Sequence, residues 1–177
     1  GNSAGDFLKL LGNGKEFGLK QLNYAYQEGE GGIAEALGLA EHFSDGQPLC
    51  VVLGDNIFQE SLASHLGAFR ERGEGAMILL KEVEDADRFG VVEMDGDRIT
   101  RIVEKPADPP TNLAVTGCYF LDNDVFQIIR GLERSDRGEL EITDVNNVYI
   151  ERGQMEFRVL EGWWTDAGTI PSLYNAA

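Results

Sequence analysis

Val51-Val52-Leu53-Gly54-Asp55-Asn56 is the stretch from which the fold can be read. Three apolar residues run straight into a Gly-Asp-Asn turn, the pattern of a strand buried on both faces that delivers a carboxylate at its carboxyl end. Crevices of open α/β sheets form outside the carboxyl ends of parallel strands, so Asp55 stands where an acid commonly meets a metal ion or a polar ligand. Gly, Asp and Asn are also ordinary turn residues, and on this stretch alone turn and site are equally supported. The partners that the rest of the chain supplies for Asp55 separate the two readings.

Downstream, Ser61 to Arg72 reads as an amphipathic helix with Leu62, Leu66 and Phe69 inward, and Ala76 to Leu80 as a second buried strand. Two βα units in succession imply a mostly parallel, Rossmann-like sheet flanked by helices. Between Val91 and Val103 the pattern changes, and Asp95-Gly96-Asp97 between alternating runs marks a β-hairpin insertion. Calcium is excluded there because the remaining ligand positions of a calcium loop are missing. The hairpin empties into Glu104-Lys105-Pro106, where the proline is expected to hold Lys105 extended beside its acidic neighbour. Asn112 to Leu121 is again a buried strand, and Asp122-Asn123 caps a helix from Asp124 to Leu132. Another helix opens near Thr143, and a strand from Met155 to Leu160 leads to Trp163-Trp164-Thr165-Asp166. Asp166 repeats the arrangement at Asp55, an acid after an apolar run and just before a helix cap.

Upstream, Leu19 to Gln27 alternates as a strand would, with Leu22, Tyr24 and Tyr26 on one face. Glu28-Gly29-Glu30-Gly31-Gly32 then leads into Ile33 to Phe43, whose apolar spacing is helical. Strand, glycine loop and helix together offer backbone N–H groups to phosphates or bases. Gly29, Gly31 and Ala34 also match the dinucleotide fingerprint, with Asp55 near the distance of a ribose-binding acid. Against that reading, Glu28 and Glu30 would set two negative charges beside a pyrophosphate. His65, near the apolar face of its helix, is read as packed or solvated and has no assigned role.

The 177 residues, 42% hydrophobic and 26% charged, suit one globular domain with a real core. Fifteen basic against 31 acidic residues give a formal charge of −16, which excludes a nucleic-acid backbone or an anionic membrane as partner. No apolar run reaches the length of a transmembrane helix and the first residues lack signal-peptide features, so the expected location is cytoplasmic. Cys50 and Cys118 both sit in strand-like apolar runs, where each is expected to be a small buried hydrophobe.

In order along the chain stand Gln27 with Gly32-Ile33-Ala34, Leu53-Gly54-Asp55-Asn56-Ile57-Phe58, Arg88-Phe89-Gly90-Val91-Val92, and Glu104-Lys105-Pro106. After them come Ala114-Val115-Thr116-Gly117, Arg137-Gly138-Glu139-Leu140-Glu141-Ile142-Thr143-Asp144, and Trp164-Thr165-Asp166-Ala167-Gly168-Thr169. Together, over nearly the whole chain, they resemble the sugar-1-phosphate nucleotidyltransferases, and the thymidylyl branch more than the uridylyl branch. The resemblance implies the nucleotide-diphospho-sugar transferase type of fold. It also implies a reaction in which glucose 1-phosphate attacks the α-phosphate of dTTP, giving dTDP-glucose for L-rhamnose and cell-surface polysaccharide synthesis. By the same resemblance Mg2+ sits on Asp55 and Asp166, Lys105 and Arg137 hold the sugar phosphate, and Gly90, Glu104 and Val115 line the glucose pocket. Gln27 and Gly32 meet the pyrimidine, Asp55 serves the nucleotide as well as the metal, and the full-length protein is a homo-oligomer. Magnesium suits that pair, since it takes hard carboxylate oxygens and keeps water and phosphate oxygens as its other ligands.

Relatives tend to carry prolines where this chain has Glu28-Gly29-Glu30-Gly31, and a threonine where it has Ala167. The first departure bears on base preference and the second on what surrounds the metal. The family opens with a strand and a glycine-rich loop bearing an arginine and a lysine that grip the triphosphate, and residues 1 to 20 do not resemble it. The chain is therefore expected to be one nucleotidyltransferase domain incomplete at both ends, holding a sugar-phosphate half-site without turnover by itself. Two alternatives stay open: a uridylyltransferase, and a non-catalytic sugar-nucleotide-binding subunit.

Overall fold

The computed structural model describes residues 4–176. Helix α1 (Ala4–Leu11) and a short 3-10 turn precede an irregular stretch, followed by α2 (Ile33–Gly38), α3 (Glu41–Ser44) and strand β1 (Leu49–Val52). Next come β2 (Asn56–Phe58), α4 (Ala63–Arg72), β3 (Ala76–Glu82), β4 (Gly90–Asp95) and β5 (Arg98–Glu104). The chain continues through β6 (Leu113–Leu121), α5 (Val125–Gly131), α6 (Ile142–Glu151), β7 (Met155–Val159), β8 (Trp164–Asp166) and α7 (Ile170–Asn175).

Strand β6 is the spine. It pairs antiparallel with β3 along one edge and with β1 and β4 along the other, so its residues from Ala114 to Leu121 are all buried. The main sheet runs β5-β4-β6-β3-β7, with β1 on β6 beside that path, while β2 and β8 form a separate two-stranded ladder. Period-two alternation divides β3 and β6 between two cores. Ile78, Leu80, Tyr119 and Leu121 pack with Ala34, Phe126, Val145 and Tyr149 from the helices. Met77, Leu79, Cys118 and Phe120 pack on the other side with Phe69 and Trp164.

The α/β class and the hairpin are as expected, but the pairing is more mixed than a mostly parallel sheet. Strands β1 and β3 do run the same way, as successive βα units require. However, β6 lies antiparallel between them, and β3 with β7 is the parallel ladder. Residues 19 to 27 are not a strand, although they alternate: no strand pairs with them among the described residues, and Tyr26 stays 63% exposed. The helix expected over Ile33 to Phe43 breaks after Gly38, the residue least able to sustain it, into α2 and α3. Cys118 is buried as expected, whereas Cys50 and Val52 are exposed, because β1 is covered on the Leu49 and Val51 face alone and not on both faces as expected. Lys105 is not extended: its φ is +43°, with its N–H bonded to the Phe89 carbonyl at 3.0 Å. Tertiary pairing with the start of β4 overrides the local proline preference.

Candidate active site

Asp55 leaves the turn after β1 and is tied at once to the second ladder. Asn56 pairs with Asp166 across β2 and β8, and the Ala167 N–H donates to the Asp55 carbonyl at 2.7 Å. Two acids separated by most of the chain are thereby set side by side. A carbon added at Gly168 would stand 3.0 Å from Asp55 Oδ2 and 3.5 Å from Asp166 Oδ1, so both carboxylates face one point that only a glycine leaves open.

Asn56 fixes the first of them. Its Oδ1 accepts from the Gly117 N–H and from Trp164 Nε1, each at 2.8 Å, and its Nδ2 donates to Asp55 Oδ1 at 2.8 Å. A carbon at Gly117 would fall 2.4 Å from Asn56 Nδ2, so the glycine in Ala114-Val115-Thr116-Gly117 is needed for this amide to seat. Asp166 in turn accepts from the Gly168 N–H at 3.1 Å and lies 3.8 Å from a guanidinium nitrogen of Arg88. Arg88 is held by Asp85 at 2.6 Å, and Asp85 and Asp166 keep its already high pKa raised further.

The sugar-phosphate candidates gather beside the acids. Asp55, Asp166, Gly90, Glu104, Lys105 and Val115 all border one cavity of about 170 Å³, which Asn56, Arg88, Tyr119 and Trp164 also line. Glu104 accepts from Thr143 Oγ1 at 2.6 Å and stands 3.9 Å from Lys105 Nζ and 3.8 Å from Arg137 Nη2. A carbon at Gly90 would come within 3.3 Å of the Glu104 carboxylate. Arg137 does not border the cavity; its guanidinium turns to Glu141, with Nη2 at 2.8 Å, and reaches the site through Glu104.

Gln27 and Gly32 border an adjoining hollow of about 350 Å³. Ile33 and Leu53 line both spaces, so the two are neighbours that share these apolar side chains. Here the glycine loop is pinned rather than free: Leu140 N–H donates to Gly31 at 2.8 Å and Ala34 N–H donates to Leu140 at 3.2 Å. Gly32, at φ +92°, has no room for a side chain, since a carbon there would meet the Leu140 carbonyl at 2.4 Å. Among the described residues no strand precedes this loop, which removes the structural context of a dinucleotide fingerprint. A larger hollow of about 420 Å³, bordered by Asp97, Arg98 and Gly153, receives none of the residues to which the sequence assigns a binding or catalytic role.

Among the described residues no cluster of three or more acidic, histidine or cysteine side chains could hold a metal. Two carboxylates facing one open point nonetheless fit magnesium, which completes its shell with water and phosphate oxygens. The sequence reading missed Arg88, Asn56, Tyr119 and Trp164 as site residues. Arg88 and Asn56 stood inside the quoted motifs, but their partners lie 78 and 108 residues away.

The Nucleotidyl transferase family profile matches residues 3–177. The chain is 41% identical over 175 residues to the glucose-1-phosphate thymidylyltransferase of Neisseria gonorrhoeae, covering 97% of this chain and 60% of that protein. It therefore spans about three fifths of the length of such relatives. A Bacillus anthracis crystal structure assigned to the same enzyme, in complex with sucrose, superposes with a TM-score of 0.92 at 46% identity, over 98% of this chain and 70% of that one. A UDP-glucose pyrophosphorylase structure shares the fold, with a TM-score of 0.81 at 23% identity over 98% of this chain and 71% of that one.

Proposed function

The chain belongs to the nucleotidyl transferase family, and from that premise we propose that the protein carrying it transfers a thymidylyl group from dTTP to glucose 1-phosphate, for the synthesis of L-rhamnose and cell-surface polysaccharide. One observation supports this above the others: Asp55 and Asp166 face a common point in a sugar-sized cavity that Arg88 and Lys105 also line, and a second hollow beside the Gln27 amide shares Ile33 and Leu53 with it. A nucleotide laid across them would have its base near Gln27 and Gly32 and its α-phosphate near the acids. The sugar would lie by Gly90, Glu104 and Val115, with its phosphate by Lys105 and Arg137. A phosphate oxygen of glucose 1-phosphate then attacks the α-phosphorus, one P–O bond forms as another breaks, and pyrophosphate leaves.

Residues of this chain orient the reactants. Glu104 stands 3.9 Å from Lys105 and 3.8 Å from Arg137 as a counter-ion common to both, while Glu141 holds the Arg137 guanidinium at 2.8 Å, and a phosphate would draw on both cations. Asp55 and Asp166 would hold Mg2+, which supplies positive charge at the transferring phosphate. Positioning and charge stabilisation make up most of what such a transfer needs. The test is a pyrophosphate-release assay with glucose 1-phosphate, magnesium and either dTTP or UTP, on the protein that carries this chain. Turnover with dTTP that falls at least a hundredfold in Asp55→Asn and in Asp166→Asn supports the proposal. Faster turnover with UTP would give the uridylyl alternative, and nucleotide binding without pyrophosphate release would give the non-catalytic one.

A further inference from the structure

Gln27 meets a base with its amide already committed. Its Nε2 donates to the Gly32 carbonyl at 3.1 Å and to Glu35 Oε2 at 2.8 Å. Both partners are pure acceptors, so a flipped amide would set its oxygen against two oxygens, and the orientation is fixed. Both amide protons are used, and among the described residues nothing donates to the Gln27 oxygen.

Glu35 is fixed in its turn. Arg134 Nη2 donates to Glu35 Oε1, while Arg134 Nη1 donates to the Gly138 carbonyl at 2.7 Å. The carboxylate lies over Gly31, where an added carbon would be 1.7 Å from Glu35 Oε2, so the glycine loop is shaped around it. The Gln27 amide and Arg134 hold the Glu35 carboxyl below the usual range, so it is an ionised acceptor at neutral pH.

We infer that Glu35 is a specificity-determining residue: by taking up an N–H of Gln27 it leaves only the Gln27 carbonyl oxygen for a base, which selects bases presenting a ring N–H. Thymine and uracil carry a ring N–H at the edge where cytosine carries a bare nitrogen acceptor. Against cytosine the Gln27 oxygen would meet that nitrogen, acceptor to acceptor, and Glu35 prevents the amide from turning to adapt. Sites built on a fixed hydrogen-bonding pattern reject the wrong partner far more strongly than apolar pockets do, because a mismatched base leaves a polar group unpaired. The inference rests on Gln27 facing the base, as proposed above, and goes beyond it in assigning the choice of base to Glu35 and its Arg134 anchor.

The experiment is calorimetric titration of the protein that carries this chain with thymidine diphosphate and with cytidine diphosphate, in Gln27→Leu, Glu35→Ala and Glu35→Gln variants. Thermal melts run alongside. The unsubstituted protein is expected to favour thymidine diphosphate, and Glu35→Ala to cut that preference about tenfold by freeing the amide to turn. Glu35→Gln, whose side-chain carbonyl can still accept from Gln27, restores most of the preference. Weaker binding of both ligands with an unchanged ratio in Glu35→Ala, against a lost ratio in Gln27→Leu, would show that Glu35 only supports the loop and would overturn the inference. An unchanged ratio in Gln27→Leu overturns it differently, by removing Gln27 from the base site.

Discussion

At Lys105 a residue named from its sequence neighbours carries a conformation those neighbours disfavour. A lysine at φ +43° ahead of a proline is held there by the Phe89 carbonyl and flanked by Glu104. Strain of this kind costs about 1 to 3 kcal/mol and tends to persist where function requires it. Asparagine tolerates the left-handed region better. Lys105→Asn should therefore raise stability by up to about 1 kcal/mol in urea titrations while weakening glucose 1-phosphate binding at least tenfold. Equal or lower stability with unchanged binding would mean that the conformation has no link to the site. Asn56 gives a complementary residue-scale test. Asn56→Leu abandons the N–H groups of Gly117 and Trp164, and each such loss costs about 1 to 3 kcal/mol. A drop of at least about 2 kcal/mol is expected by chemical denaturation, with weaker Mn2+ binding in titrations read by electron paramagnetic resonance. Asp55 and Asp166 were legible as single residues because each ends an apolar run. The roles of Asn56 and Arg88 were not, because they depend on what a distant segment brings to them.

Elements were legible where the sequence signal and the tertiary demand coincide. The Asp95-Gly96-Asp97 run marks a hairpin whose two-residue loop, Gly96-Asp97, has a first central residue at positive φ, and Gly96 has φ +58° between β4 and β5. Strands β3 and β6 read as apolar runs because helices and loops cover both their faces. Alternation in residues 19 to 27 misled, since alternation reports a face and says nothing about a partner edge. Sheet direction was hidden for a related reason. Two βα units fix β1 and β3 as parallel to one another, but only a segment far downstream shows that β6 enters between them. Strand β6 is accordingly the element to break. Phe120 is fully buried against Phe69, with ring centroids 5.9 Å apart, on the side of the sheet that carries Trp164. Phe120→Ala should cost about 3 to 5 kcal/mol in urea unfolding. A loss below about 1 kcal/mol would show that this second core is not tightly packed around β6.

Over the whole molecule, a charge of −16 sets the terms on which an anionic substrate can be held. Arg88, Lys105 and Arg137 are each paired with carboxylates, so the cations near the site are kept in place by the same acidity that would otherwise repel a phosphate. The acid excess is felt beyond the site at Asp144, in the first turn of α6. Burial foremost, then Glu141 and Glu104, raise its pKa above the ordinary 3.8, while Arg101 opposes them. The helix N-terminus favours an anion there, yet the net shift is upward, so the unfavourable influences outweigh the dipole. With the folded pKa above the unfolded one, the native state binds the proton more tightly, and stability from this group falls as pH rises between the two values. The penalty is absent below the unfolded pKa and complete above the folded one. Asp144→Asn should accordingly be more stable than the unsubstituted protein at pH 7 in urea titrations, with the gain closing as pH falls towards about 4. Salt screens Glu141 and Glu104 but does nothing to reverse burial, so raising ionic strength from about 0.01 to 1 M should shrink the gain at pH 7 without abolishing it. A gain equal at both pH values would place the effect in packing, and a loss at pH 7 would mean that the dipole of α6 outweighs the burial of its acid.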